Sequence, residues 1–387
     1  MDPRDEVVLL LAGDVMTGRG IDQVQQHPGA ARLHEGYLHD ARDYVRLAEA
    51  LNGPIPAPVS AQYIWGDALA EIERAAPDLR IVNLETAITR ADSPWPGKRV
   101  HYRMNPANIG CLLSAGISAC ALANNHLLDW GRAGLRETLK ALRRSGIGFA
   151  GAGADCEKAW APASLPLPNG ESRHQAGPGA PDGQLLLFSC ATPSSGVPPD
   201  WSATPARSGI ALLRELSAAS ARRLAEDILR RRSVRDLVVV SIHWGENWGL
   251  AVPEAHRDFA HRLIDAGAAD VVHGHSSHHP LPLELYRGKL ILYGCGDLIN
   301  DYEGIGPRGA LRSDVGCLYF ATLDRGSGCL EALDVLPLEL RRFRLVRADA
   351  SAQDWLGDVY DAGAPALGEQ PVRRGLQHWS WRRKRGA

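Results

Sequence analysis

The sequence predicts an α/β fold with antiparallel strands added late. Short apolar runs of strand length alternate with amphipathic helical stretches through most of the chain, and the runs end repeatedly in carboxylate, amide or imidazole residues. With 387 residues and 45% hydrophobic content, there is ample material for a large core and an enzyme-sized site.

The first run, Val7 to Ala12, is continuous and apolar, as a buried strand is, and breaks at Gly13-Asp14. Asp14 is thereby expected at a strand's C-terminal end, where α/β sheets present catalytic groups. Residues 21 to 66 are mixed and Pro-rich and read as an irregular excursion bordering a pocket. Trp65 to Ala76 has helical spacing and stops at Pro77, and Leu79 to Glu85 is a strand whose Asn83 and Glu85 share a face by alternation. A second irregular segment, Asp92 to Pro106, precedes a helix-like stretch and the run Ile117 to Ala123, which ends in Asn124-Asn125-His126. An amphipathic helix from Arg132 to Ser145 follows, then a short strand and a Gly-rich loop that lacks the helix a phosphate fingerprint requires.

Residues 161 to 183 are Pro- and Gly-rich and read as a surface loop or hairpin turn. Leu185 to Cys190 is a buried strand, Leu216 to Arg231 a helix, and Leu237 to Ile242 a strand ending in His243. Pro253 opens a helix through Ala266, on which His256 and His261 are expected at surface or supporting positions. The run at Val271-Val272 leads into His273, His275, His278 and His279, four imidazoles in seven residues, and Lys289 to Tyr293 is the next strand. Cys317 to Leu323 and Leu330 to Leu340 read as antiparallel strands. Residues 1–340 form the expected domain and 341–387 an extension without a core pattern, basic at its end.

A formal charge of -2 provides no global field for nucleic acid or anionic membrane. Seven widely spaced cysteines without a C-x-x-C pair argue against a disulfide framework. The acidic N-terminus and the lack of any apolar span of about 20 residues predict a soluble, cytoplasmic protein with no integral membrane segment.

The chemistry lies in a recurrence. Five apolar strands end in Asp14, Glu85, Asn125-His126, His243 and His275-x-x-His278, groups that one sheet end would gather. Two carboxylates, an amide oxygen and three imidazoles suit one or two divalent ions such as Mn, Fe or Zn and contain too little thiolate for a structural zinc site. Arg19, Lys98, Arg99 and Arg103 are candidate anion-binding groups beside such a metal.

G-D-V-M-T-G-R at 13 to 19, V-N-L-E at 82 to 85, A-N-N-H-L-L-D-W-G at 123 to 131, I-H-W-G-E-N-W at 242 to 248 and G-H-S-S-H-H-P at 274 to 280 together resemble the CapA family. That family is named for poly-γ-glutamate capsule synthesis and belongs to the calcineurin-like metallophosphoesterases. The resemblance covers about residues 7 to 303 and implies a four-layer α/β/β/α sandwich with mixed sheets. It makes Asp14, Glu85 (the bridging carboxylate), Asn125, His243, His275 and His278 metal ligands. It gives His126 the role of general acid; from the residues themselves, Asp129 is expected to orient His126 or a helix start, and Arg19, Arg99 and Arg103 to meet an anionic small-molecule or polymer substrate. The sequence departs from the superfamily pattern at Met16, where a histidine is usual, and in the spacing of His275 and His278. His279 is then a spare ligand, His273 a supporting residue, Glu246 and Trp248 pocket-lining, and Asp297, Asn300 and Asp301 supporting groups or loop caps. The expected function is metal-dependent hydrolysis of a phosphoester or related bond. The alternatives are a capsule biosynthesis or export component and a non-catalytic metal-binding relative.

Overall fold

The computed structural model describes residues 6–167, 183–306, 309–362, 373–374 and 378–383. Most of the Pro- and Gly-rich stretch expected as a loop, and the end of the basic C-terminal tip, lie outside them. The chain first lays down four parallel strands: β1 (Glu6–Val15), β2 (Leu79–Leu84), β3 (Ala119–Ala121) and β4 (Gly148–Ala150). It then builds a second sheet from β5 (Ala163–Pro166), β6 (Gln184–Ala191), β7 (Leu237–His243), β8 (Val271–His275), β9 (Leu283–Tyr286) and β10 (Lys289–Leu292), in the order β9-β10-β8-β7-β6-β5. Its four inner strands are parallel and its two edges antiparallel.

The chain returns to the first sheet on the edge of β1 away from β2, with β11 (Asp297–Ile299) parallel to the end of β1, β12 (Val315–Asp324) antiparallel to the rest of it, and β13 (Leu330–Arg341) antiparallel to β12. Both sheets are therefore mixed.

Side-chain alternation sorts the core into layers. Val7, Leu9 and Leu11 of β1 pack with Leu187, Val239, Val271 and Leu292 of the second sheet, so the two sheets lie face to face. Leu10, Ala12, Val82 and Leu84 point the other way, into helices α1 (Arg19–Val24), α2 (Arg42–Asn52), α3 (Ala68–Ala75) and α4 (Gly131–Arg144). The far face of the second sheet, with Val238, Val240 and Ile242, is covered by α5 (Ala218–Arg231) and α6 (Glu254–Asp265). The result is an α/β/β/α sandwich. The helices follow from sequence: α4 buries Leu135, Leu139 and Leu142 at three- to four-residue spacing, and a Ser217–Ser220 capping box starts α5.

Four local expectations change. The excursion at 21 to 66 contains α2 and most of α1, and the Pro-rich stretch after 161 begins with β5, an edge strand where proline is tolerated. His256 is buried and stacks on Trp244 with ring centroids 4.5 Å apart. The segment after residue 340 is built into the domain where it is described. Strands β14 (Arg344–Arg347) and β15 (Trp379–Arg382) both pair with β13, and Trp379 and Trp381 enter the core between the sheets. Helix α7 (Ala350–Ala362) contributes Leu356, Val359 and Tyr360 to that same core. Two alternating tryptophans in a four-residue strand are too short a pattern to read as a core element. No helix among the described residues is long and apolar enough to cross a membrane.

Candidate metal centre

A bulge builds the first wall. Along β1, Leu9 and Leu11 face the second sheet while Leu10 and Ala12 face the helices, so plain alternation would send Asp14 to the helices. The register of β1 slips against β2 between Ala12 and Asp14, which turns Asp14 toward the second sheet and returns Val15 to the helix side. Gly13 is required there, because a Cβ on it would meet the Gly296 carbonyl oxygen at 1.9 Å. Asn83 and Glu85, two apart at the end of β2, share the face of Leu79 and Ile81, which also looks across the cleft. Asn83 Nδ2 donates to Asp14 Oδ1 at 2.8 Å and to Glu85 Oε2 at 3.2 Å.

Asp297 stands directly opposite Asp14 in the β1–β11 ladder. Two carboxylates side by side and fully buried repel unless something positive joins them. Burial, with Asp297 second, raises the Asp14 pKa to about 7, and burial together with Asp14 raises Glu85 well above the usual carboxylate range. Asp14 Oδ2 is buried without a hydrogen-bond partner.

The second wall comes from β7 and β8. Their residues facing the first sheet run from Leu237 and Val239 to Ser241 and His243, and from Val271 to His273 and His275, apolar deep in the core and polar at the strand ends. Ser241 pairs with His273 and His243 with His275 across the ladder. The Nδ1 atoms of His243 and His275 lie 2.8 Å apart, and His275 Nδ1 is 4.0 Å from Asp14 Oδ1. Ser276 leaves the strand at φ 103°, a strained angle for a non-glycine residue, and begins the turn that carries His278 back to the site. His278 Nδ1 is 2.9 Å from Asp297 Oδ1, and Asn300 Nδ2 donates to Asp297 Oδ2 at 2.9 Å. His279 is engaged elsewhere: its Nε2 accepts from Gly249 N–H at 3.2 Å and its Nδ1 donates to the Pro280 carbonyl at 3.0 Å.

The third wall follows β3. Asn125 Oδ1 is 3.2 Å from His243 Nε2. His126 Nδ1 donates to Asp129 Oδ2 at 2.6 Å, and its Nε2 points to the cluster, 3.7 Å from Glu85 Oε1. Asp129 also accepts from Tyr102 N–H and from Lys98, whose Nζ reaches the Asn125 carbonyl as well. Lys98 is thus spent inside the protein. Burial first, then Lys98, holds the His126 pKa well below its usual value, so the ring is neutral.

A cavity of about 930 Å³ opens from this junction, with Arg19, Tyr102, His126, Trp248, His278 and Tyr302 among its lining residues. Arg19 reaches it with its charge offset by Glu35 and Asp301 and its guanidinium stacked over Tyr44. Arg99 and Arg103 do not line it. Arg99 is exposed, and Arg103 bonds the Ala91 carbonyl and Asp92 while lying 3.8 Å over the Trp130 ring. The cationic part of the lining comes instead from Arg312 and Arg341, interleaved with Asp314, Glu339 and Asp349.

Two groups of potential ligand atoms lie within 4.8 Å of one another: Asp14 with His243 and His275, and Asp14 with His278 and Asp297. Asp14 belongs to both, the place the resemblance gave to Glu85. An unpartnered carboxylate oxygen, adjacent buried carboxylates and facing imidazoles are a donor set suited to a divalent cation. Asp297 was expected only as a supporting group or cap. Its signal in sequence is faint, a lone Asp after Gly294-Cys295-Gly296, and the strand it opens is three residues long. Met16 is buried, with the Tyr302 hydroxyl 3.8 Å from its sulfur.

Residues 8–302 match the family described as bacterial capsule synthesis protein PGA_cap. A probable polyglutamine synthesis accessory protein of Mycobacterium tuberculosis is 45% identical over 371 residues, which are 96% of this chain and 94% of that protein. The capsule biosynthesis protein CapA of Bacillus anthracis is 22% identical over 87% of this chain and 68% of its own. A solved structure of a novel phosphatase from Mycoplasma pneumoniae overlays with a TM-score of 0.44 at 12% identity, covering 90% of this chain and 96% of that one. With its family match over 8–302 and a 45% identical relative spanning nearly its whole length, this chain belongs to the bacterial capsule synthesis protein PGA_cap family.

Proposed function

We propose that the chain is a divalent-metal-dependent hydrolase acting on a phosphoester or related bond of an anionic substrate, in the capsule-polymer setting that its relatives' names carry. The observation that supports this most is the convergence of carboxylates from one sheet and imidazoles from the other behind a cavity that His126 and His278 line. Asp14, Asp297, His243, His275 and His278 would hold the metal, with Glu85 and Asn125 beside them. A divalent cation there supplies Lewis acidity and lowers the pKa of bound water.

The chain's own residues account for the remaining roles. Asp129 fixes the His126 ring by accepting its Nδ1–H, so proton transfer is confined to Nε2, which faces the cluster. Because His126 is neutral, Nε2 takes up a proton from solvent in the cavity it lines before it can protonate a leaving oxygen. Arg19, with four N–H bonds already committed to Asp301, Glu35 and Tyr44, has one N–H left for substrate.

Metal analysis of the purified protein, followed by hydrolysis of p-nitrophenyl phosphate and bis(p-nitrophenyl) phosphate by wild type and His126→Ala, tests the proposal. Bound Mn, Fe or Zn with turnover that collapses in His126→Ala is the expected result. A metal-free, inactive wild type would overturn it. A second reading, a component of capsule-polymer assembly, is favoured by the names of the 45% and 22% identical relatives. Metal-independent association with poly-γ-glutamate and no hydrolysis would support it instead.

A further inference from the structure

We infer that Ser241 and His273 are positioning residues that, anchored on the Ala12 carbonyl, turn the bare Nδ1 of His275 into the site and hold it ready for a divalent cation. The inference rests on the metal reading above, and it follows from the direction each hydrogen bond must take.

The Ala12 carbonyl of β1 can only accept, and His273 Nε2 lies 3.0 Å from it, across the space between the sheets. Nε2 of His273 therefore carries the proton. The ring is fully buried and its nitrogens meet a carbonyl and a hydroxyl, surroundings that suit the neutral form, so Nδ1 is an acceptor. Ser241 Oγ, 3.0 Å away, has one hydrogen and must give it to that Nδ1. Its oxygen then accepts from His275 Nε2 at 2.8 Å, which places the His275 proton on Nε2 and leaves Nδ1 bare. Bare Nδ1 faces the cluster and Asp14, 2.8 Å from the Nδ1 of His243, which is bare as well because His243 Nε2 donates to Asn125 Oδ1, so two lone pairs converge where a cation would sit.

The opposite assignment fails at its first step. A proton on His275 Nδ1 would make Nε2 an acceptor, Ser241 would spend its hydrogen there, and His273 Nδ1 would confront an oxygen lone pair in a dry core. The chain begins on β1, two residues before Asp14, so the strand that carries the carboxylate also sets the facing nitrogen. It explains why one serine interrupts the apolar run Leu237 to Ile242, and why His273, which offers the site no nitrogen, is a histidine.

Nitrogen-15 NMR of histidine-labelled, metal-free protein reads the tautomer directly, with a proton on Nε2 and a bare Nδ1 expected for His275. Titration with Zn²⁺ alone against a chromophoric chelator should show Ser241→Ala weakened roughly 10- to 100-fold, with Ser241→Thr, which keeps the hydroxyl, recovering most of the loss. A cooperative thermal melt of metal-free Ser241→Ala separates this from unfolding, and the wild-type spectrum decides the tautomer even if that variant does not fold. A His275 Nδ1–H in the wild-type protein, or unchanged Zn²⁺ affinity in folded Ser241→Ala, overturns the inference. A wild type that binds no Zn²⁺ yet shows bare Nδ1 overturns the metal reading and the purpose assigned here, while leaving the hydrogen-bond assignment standing.

Discussion

The two walls of the site differ in how complete they are without an ion. On the second sheet, His273, Ser241 and His275 close a hydrogen-bond chain back to β1, and His279 is fixed by Gly249 and Pro280. On the first sheet, Asp14 and Asp297 stand side by side, Glu85 is close by, and one Asp14 oxygen is left unpartnered. The imidazole wall is arranged by the protein itself, whereas on the carboxylate wall Asn83, Asn300 and His278 supply donors but leave Asp14 and Asp297 side by side with one Asp14 oxygen unpartnered. Ligand geometry can therefore be stored in neutral groups, while affinity is concentrated where like charges are forced together.

Replacing Asp14 with Asn should have the largest effect, because it removes the residue common to both ligand groups. Zn²⁺ affinity in a chelator competition should drop by more than the roughly 100-fold that loss of a supporting partner costs, and hydrolysis should vanish. The same change relieves the repulsion with Asp297, so metal-free Asp14→Asn should melt higher than metal-free wild type. A lower melting temperature would show that the carboxylate wall is not strained.

His126→Ala acts beside the two walls rather than on them. Turnover of p-nitrophenyl phosphate should fall roughly 10²- to 10⁴-fold while Zn²⁺ affinity stays unchanged. Equal losses in both would mean that His126 binds the metal. Asp129→Asn should cost less: the ring remains, its orientation loosens, and kcat should decline about 10-fold with KM little altered.

Much of the imidazole wall was legible in the sequence. Val-Val-His-Gly-His and Val-Val-Val-Ser-Ile-His carry period-2 alternation into polar strand ends, and parallel strands bring such ends together. The carboxylate wall was only half legible. Asp14 stood out at the end of an apolar run, but its orientation depends on a bulge that no periodicity announces, and Asp297 depends on a three-residue strand paired 283 positions away. The arginines were least legible, because a guanidinium's partners are set by loop packing: Arg103 found Trp130 and Asp92, and Arg99 faces outward. The segment after residue 340 hid its strands for a related reason, since each is four residues long and leans on β13 for its pattern.

The smallest expected effect, a few degrees of melting temperature, separates the walls by pH. Asp14 has a folded pKa raised to about 7 from an unfolded value of 3.8, so its contribution to stability is fully present below about pH 4 and is lost as pH rises through about 7. His273 runs the other way. Burial lowers its folded pKa to about 4, so its contribution is present above the unfolded value near 6.5 and is lost as pH falls toward 4. In the metal-free wild type the two trends overlap. Comparison with Asp14→Asn removes one of them: the variant's advantage in melting temperature should be near zero at pH 4, grow through pH 7 and level off by pH 8. Saturating Zn²⁺ should abolish that advantage by giving the wild-type carboxylates their counter-charge, while the loss of stability on the acid side persists through the remaining buried imidazoles. An advantage that did not change with pH would place the effect in packing rather than charge, and the contrast between the two walls would fail.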